Sequence, residues 1–513
     1  MTVCADDKNV LLITADQWRG DCLSTVGHPC VQTPNLDRLA GDGVLFKRHY
    51  TQCTPCGPAR ASLLTGMYLQ NHRMVDNWVP LDARHTNVAL EARKAGYHPV
   101  LFGYTDMSAD PRGRHSNDPD LTTYEGVLPG MTPLLDMTAH QPIWRAHLID
   151  RGYDEERVRN DVYRPRALPG GAGPTFAPSL YSDEDSDTAF VTKAAMRHIR
   201  MANKPWFVHV SYLRPHHPFV VPEPYHAMYD AQAAPEPNRL ASPEEESRQH
   251  PYFADFFELE ARKRYHFNEG PQPMQMSLTE LRQLRATYYG MITHVDAWIG
   301  RLIDFLVEQG CYDSTLIIFT SDHGEMLGDH WQCNKSGYFA GAYHVPLVVR
   351  DPYAPDGCGT RVNRFTEHVD IMPTLIEWLG LDTPRQCDGY SLRPFLEDAP
   401  PDAWRTVAHY EHDYRHSVNA EWRTAHGLSR DECVLNVIHG ERYKYVHFIG
   451  LPPLLFDLQE DPHEFSNLAT HPDLNATLLG HAQEMLSWRM RNDERTLTGL
   501  KLSPNGVVDY DAN

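Results

Sequence analysis

"NVLLITAD", residues 9–16, is an apolar run that ends on a carboxylate. With no polar alternation along it, it reads as a strand buried on both faces, the pattern of a parallel sheet covered by helices. The same grammar recurs downstream. "TNVALEARKAG" at 86–96 has helical spacing closed by Gly96, and "YHPVLFGY" follows it as a strand. "DTAFVTKAAMRHIRMA" precedes "PWFVHVSYL" in the same way, and the stretch from Ser277 to Gly310 is helical by period, with Gly310 as its stop. "STLIIFTSDHG" is the most strand-like run in the chain, and "VPLVVR" and the helical "HVDIMPTLIEWLG" continue the alternation. Helices alternating with buried strands predict an α/β fold with a large, mostly parallel sheet flanked by helices.

Two regions break the pattern. Residues near 106–180, with "RPRALPGGAGPTFAPS", and near 222–276, with "PEPNRLASPEEESRQHPY", read as inserted loops or lids, because each carries aromatic residues that can pack. From about residue 400 the short runs "TVAHYE", "CVLNVIHG", "RYKYVHF" and "PLLFDLQ" look like antiparallel strands, followed by a helix near 474–490. The expected division is a catalytic α/β domain over 1–399 and a C-terminal subdomain over 400–513, with the closing "VVDYDAN" as tail or interface.

A chain of 513 residues with 41% hydrophobic content can bury a large core. Its formal charge of -21 speaks against nucleic acid or an acidic membrane as partner, since both need clustered Lys and Arg. The apolar core of "MTVCADDKNVLLITADQW" spans only about five residues, too short for a signal peptide or a membrane span, so a cytoplasmic protein is expected. The ten cysteines are scattered singly apart from one pair, which fits a reducing compartment.

That pair lies in "CTPCGPARASLLTG", residues 53–66. Three readings are open on these residues alone. A strand before the pair ("VLFKRHY") and a helix after it ("PARASLLTG") are the setting of a redox motif, giving a thiol–disulfide oxidoreductase that uses Cys53 and Cys56. Half of a zinc site would need a second thiol or histidine pair at metal spacing, and the chain has no second C-x-x-C. Cys53 could equally be a small buried hydrophobe.

Cys56, Pro58, Arg60, Leu63, Leu64, Thr65 and Gly66 together resemble the sulfatase signature, C-x-P-x-R followed by x-x-L-L-T-G, in which a dedicated enzyme oxidises the cysteine to formylglycine. Pro58 suits a first helical turn and Gly66 its end, so residue 56 stands at a helix N-terminus, where an anionic group is favoured. "ADQWRGD", "TPNLDRLA", "SDHGEMLGDH", "DGYSLRPFL" and "LLFDLQEDPHEFSNLA" resemble sulfatase segments in the same order. The resemblance implies the alkaline phosphatase superfamily, with an α/β sandwich and a smaller C-terminal antiparallel sheet. It also implies a homo-oligomer, a dimer or tetramer, with contacts expected from the aromatic-rich stretch near 250–265.

The chemistry it implies runs through a geminal diol at residue 56. One hydroxyl, acidified by a metal ion, attacks sulfur or phosphorus, and the other collapses back to the aldehyde and expels the bound group. By the resemblance Asp16, Gln17, Asp322, His323 and residue 56 would hold the metal. Sulfatases commonly have a second Asp where this chain has Gln17 and an Asn where it has His323. An imidazole among oxygen ligands turns the site toward Mn²⁺, with Fe²⁺, Zn²⁺ and Ca²⁺ as the other fits. Arg60 would hold the nucleophile, Lys335 would contact the ester's non-bridging oxygens, His216 would assist the leaving group ahead of its neighbour His217, and Asn77 would contact substrate. Taken singly, Asp16 could be a strand-end cap, His323 a turn residue and Lys335 a solvated lysine.

Ordinary sulfatases carry a second signature, G-Y-x-T-x-x-x-G-K. Here Gly96 to Tyr104 fills it, with Tyr104 in place of the lysine. That replacement resembles the phosphonate monoester hydrolase and phosphodiesterase branch, whose substrates are small anionic esters. The branch tends to have threonine where this chain has Asp106, a carboxylate that would face either the substrate or the loop. An arylsulfatase with the same mechanism is the near alternative, and a non-catalytic anion-binding relative with unmodified Cys56 a further one.

Overall fold

The computed structural model describes residues 8–138, 141–166, 177–253, 257 and 273–509. Strand β1 (Asn9–Ala15) sits at the centre of an eight-stranded sheet with β2 (Val44–Tyr50), β3 (Val100–Gly103), β4 (Thr132–Asp136), β5 (Phe207–Tyr212), β6 (Thr315–Thr320), β7 (His344–Arg350) and β8 (Arg361–Glu367). Their order is β4-β3-β5-β1-β6-β7-β2-β8. β1 pairs in parallel with β5 on one side and β6 on the other.

The strand alternation sorts side chains onto two cores. Leu11, Ile13, Val208, Val210, Ile317 and Phe319 pack with the Asp187–Met201 and Leu278–Glu308 helices. Val10, Leu12, Phe207, Leu316 and Ile318 pack on the opposite face with the Cys56–Thr65, Val88–Lys94 and Ile371–Trp378 helices. The long helix starts where the sequence sets it: Ser277 and Glu280 form a reciprocal capping box. It is followed by Gly310 at φ 64, a conformation that glycine adopts freely.

Three features add detail to the expectation. "VPLVVR" lies in β7, which runs antiparallel to both β6 and β2 and reverses the sheet once. The 106–180 stretch is more than an insertion, since its β4 pairs in parallel with β3 and forms the sheet's edge. Near the C-terminus β13 (Leu500–Ser503) and β14 (Gly506–Asp509) form a separate hairpin, so the start of "VVDYDAN" is a strand; residues 510–513 lie outside the described residues. Most of the aromatic-rich stretch near 250–265 also lies outside them.

The second sheet has the order β12-β11-β10-β9, from β9 (Ala408–Asp413), β10 (Val434–His439), β11 (Tyr443–Phe448) and β12 (Leu454–Asp457). All three pairings are antiparallel, and the Asn475–Arg491 helix follows. A bridge between Cys53 and Glu411, with Glu411 N–H donating to Gln52 O at 2.8 Å, ties this sheet to the loop that leads into Cys56.

Candidate active site

Parallel strands place their C-terminal ends on one edge of a sheet, and that is where chemistry collects in open α/β folds. Asp16 follows β1, Tyr104 follows β3, His216 follows β5, and Asp322 and His323 follow β6. Cys56 opens its helix against the same edge. Asp16, Cys56, Asp322 and His323 each turn one ligand atom into a common space, all within 4.8 Å of one another, and all four are buried.

Arg60 holds the two carboxylates. Its Nε donates to Asp322 Oδ2 at 2.9 Å and its Nη2 to Asp16 Oδ2 at 3.2 Å, while Nη1 reaches Tyr104 O and Ser211 Oγ. These contacts place Arg60 across the Asp16 and Asp322 carboxylates of the cluster, in addition to the expected role beside residue 56. The Asp322 carboxylate also receives the Gln17 and His323 backbone N–H groups. Burial alone would raise its pKa, but His323, Arg60 and Lys335 hold it below the usual range. Asp16 is pushed up by burial and by the Asp322 charge.

His323 Nδ1 lies 3.0 Å from Gly324 O, which fixes the proton on Nδ1 and leaves Nε2 with a lone pair facing Cys56 Sγ at 3.3 Å. Burial, with help from Lys335, brings its pKa down to about 4, so the ring is neutral in ordinary conditions. Lys335 Nζ lies 3.1 Å from Cys56 Sγ and 3.2 Å from Gln17 Oε1. Burial opposes its charge, yet Cys56, Asp16 and Asp322 raise its pKa.

A divalent cation fits this donor set. Asp16 Oδ1 is buried and has no hydrogen-bond partner, an orphaned oxygen aimed at the cluster and 3.6 Å from His323 Nε2. Two carboxylates and a neutral imidazole suit Mn²⁺ or its neighbours better than a thiolate-rich zinc site.

The remaining predicted residues line the same region. Asn77 Oδ1 accepts from Gly57 N–H at 2.9 Å, so it caps the helix that Cys56 opens. Tyr104 donates its hydroxyl to Asp16 Oδ2 at 2.6 Å, and its ring lies 4.3 Å from the Arg60 guanidinium. Asp106 is buried, with a carboxylate oxygen 3.8 Å from Arg60 Nε. Burial pushes its pKa up to about 8, with Arg60 opposing. His216 lies 2.6 Å from His217 O through Nδ1 and stacks on the His217 ring. Burial and Lys335 hold it well below the usual imidazole range, so its Nε2 presents a lone pair.

The cysteine pair takes no redox form here. Both thiols are free, and burial raises the pKa of each, Cys56 further through Asp16. Cys53 contacts Ser62 Oγ inside a small apolar cluster. Exchange chemistry needs an accessible thiolate, which neither provides.

Three residues escaped the sequence reading. Glu325, fully buried, binds the Gln17 side chain and belongs to "SDHGEMLGDH", where its charge was the available signal. Burial raises the Tyr124 hydroxyl pKa, and Asp106 and Cys56 are close enough to add to the rise. Trp78 packs edge-on against Tyr124 at 5.0 Å and is 64% exposed, which makes an aromatic rim.

A strand-edge cluster of potential metal ligands beside a helix-borne residue 56 and a buried lysine defines the class: an ester-bond hydrolase on an alkaline phosphatase-like scaffold. The sulfatase family model matches residues 8–381, and the model for the C-terminal part of N-sulphoglucosamine sulphohydrolase matches 328–491. The chain is 44% identical over 507 residues to the multifunctional alkaline phosphatase superfamily protein PehA of Trinickia caryophylli, covering 98% of this chain and 99% of that one. The crystal structure of a phosphonate monoester hydrolase of Agrobacterium radiobacter superposes with a TM-score of 0.93 at 47% identity, over 98% of this chain and 99% of that one. An arylsulfatase of Clostridium perfringens is 29% identical over 90% of both chains. The chain belongs to the sulfatase family of the alkaline phosphatase superfamily.

Proposed function

We propose that the protein is a formylglycine-dependent metallohydrolase that cleaves phosphonate monoesters and phosphate diesters and is promiscuous toward sulfate monoesters. The observation that carries this reading is the convergence on Cys56 of Asp16, Asp322, His323 and Lys335, with Tyr104 rather than a lysine completing the wall. One cation fewer suits an ester with a single negative charge. Similarity to PehA and to the Agrobacterium phosphonate monoester hydrolase supports this branch over an arylsulfatase.

In this reading Asp16, Gln17, Asp322 and His323 hold a divalent cation, with Mn²⁺ the preferred ion, and Cys56 is the precursor of formylglycine made by a separate generating enzyme. The cation, when bound, supplies Lewis-acid activation of nucleophile and ester. Lys335 neutralises the ester's non-bridging oxygens, and Asn77 and Asp106 border the substrate. Arg60 aims both carboxylates and, with His323, helps keep Asp322 ionised. His216, held neutral chiefly by burial and secondarily by the Lys335 charge, presents Nε2 to the leaving group. The proposal extends to a cytoplasmic homo-oligomer, a dimer or tetramer, divided into 1–399 and 400–513.

Mass of the peptide containing Cys56 tests the mechanism. Conversion to the aldehyde lowers it by about 18 Da, and an entirely unmodified thiol in active protein rejects the mechanism. Parallel kcat/KM values on an aryl phenylphosphonate, a bis-aryl phosphate and an aryl sulfate test the substrate class, and a large sulfate preference rejects it.

A further inference from the structure

Gln17 stands among the metal-type ligands as an amide, a group with one oxygen to offer and one nitrogen to keep away. Which end faces the cluster is decided by its neighbours. On one side Gln17 Oε1 accepts from Lys335 Nζ at 3.2 Å. On the other, Gln17 Nε2 donates to Glu325 Oε2.

Glu325 itself has no freedom to turn. It is fully buried, and its Oε1 accepts the backbone N–H groups of Leu327, at 3.0 Å, and Asn334. That leaves Oε2, an acceptor only, against the Gln17 amide. The Gln17 backbone is also fixed: its N–H donates to Asp322 Oδ1, its carbonyl accepts from Tyr288, and its φ is 68. Flipping the Gln17 amide would set its oxygen against a carboxylate oxygen and its NH₂ against an ammonium. Both contacts would be repulsive.

We infer that Glu325 is a positioning residue that orients the Gln17 amide oxygen toward the metal, so that Gln17 and Glu325 act as a matched pair of neutral ligand and outer carboxylate. The inference rests on the metal-ion reading of the site. It assigns the buried carboxylate of "SDHGEMLGDH" a role in metal affinity rather than in substrate contact. Groups that orient a ligand commonly tune metal affinity by about 10- to 100-fold.

The pair can be exchanged. In E325Q the new side chain must keep its oxygen toward the Leu327 and Asn334 N–H groups, so it presents NH₂ to Gln17. Gln17 then turns its oxygen away from the metal. In Q17E/E325Q the carboxylate at 17 accepts from that NH₂ and still offers an oxygen to the cluster. Mn²⁺ affinity, read by competition with a chelator or by loss of the free-ion EPR signal, should fall about tenfold or more in E325Q. It should return to within about threefold of wild type in the double variant. Thermal melting of the metal-free proteins is measured beside it. If E325Q does not accumulate folded, the double variant still decides, because it is expected to fold and to hold Mn²⁺. Wild-type affinity in E325Q, or a double variant no better than E325Q, overturns the inference alone. Wild-type protein that takes up no Mn²⁺ overturns the metal reading and this inference with it.

Discussion

The Tyr104 hydroxyl donates to Asp16 Oδ2 at 2.6 Å, on the same oxygen that receives Arg60 and opposite the orphaned Oδ1. A residue that occupies a lysine's place in the family signature therefore acts on a carboxylate of the potential metal cluster. Tyr104→Phe keeps the ring over Arg60 and removes only the donor. A hydrogen bond to a charged group contributes about 1.5–3 kcal/mol, so kcat/KM on a phosphonate monoester should fall about 10- to 100-fold. Weaker Mn²⁺ retention on dialysis should accompany the loss.

Asp106 gives the site a pH signature. Its pKa is raised from 3.8 to about 8, chiefly by burial, so the folded chain holds a proton that the unfolded chain has released. Stability from this group is fully present below about pH 4 and is lost as pH rises toward about 8. Asp106→Asn removes that dependence. The melting-temperature gap between variant and wild type should move in the variant's favour from pH 4 to pH 8 and level off above. On the wild type, KM for an anionic ester should rise above about pH 8 as the carboxylate ionises, and Asp106→Asn should flatten that rise.

Arg60 is 1% exposed and bridges two buried carboxylates. Arg60→Ala leaves both uncompensated, which costs about 3–5 kcal/mol in comparable buried pairs. Arg60→Lys restores the charge without the fork that reaches Asp322, Asp16 and Tyr104 O together, and should recover only part of the loss. Urea denaturation of the metal-free proteins measures both.

The Trp78 and Tyr124 rim lies outside the ligand cluster, so it should affect the organic arm of the ester and not the reacting group. Trp78→Ala is expected to raise KM for aryl esters about 3- to 10-fold, in line with one aromatic contact, and to leave methyl esters unchanged. Because Trp78 is largely exposed, melting temperature should not move.

The central strands were legible because β1, β5 and β6 are buried along their whole length and bounded by turn residues. Edge elements were not. β4 exposes Thr132, Pro133 and Leu134, and the β13–β14 hairpin carries Leu502 and Val507 in the open, so neither shows the apolar run that marks a covered strand. The direction of β7 was hidden for a different reason: a strand buried along Val345–Arg350 reads the same either way along the sheet. At the site, the family signature pointed to Asp16, Cys56 and Asp322. It gave no hint that Gln17 meets Glu325 across a separation of 308 residues, since such contacts leave no local periodicity. The Arg60 contacts to Asp16 and Asp322 were not legible either, because a motif gives spacing and not the partners of a guanidinium.

Gly57 sits between Cys56 and the side of the site formed by Met74, Asn77 and Asp106. A Cβ there would lie 2.7 Å from Met74 Cε, 3.0 Å from Asp106 O and 3.3 Å from Asn77 Oδ1. In C-x-P-x-R this is an unspecified letter. In the proposed enzyme the segment has two readers, the one that modifies Cys56 on the chain and the pocket that later uses it. The first leaves position 57 blank and the second fills it in, so the set of sequences that can mature is wider than the set that can work.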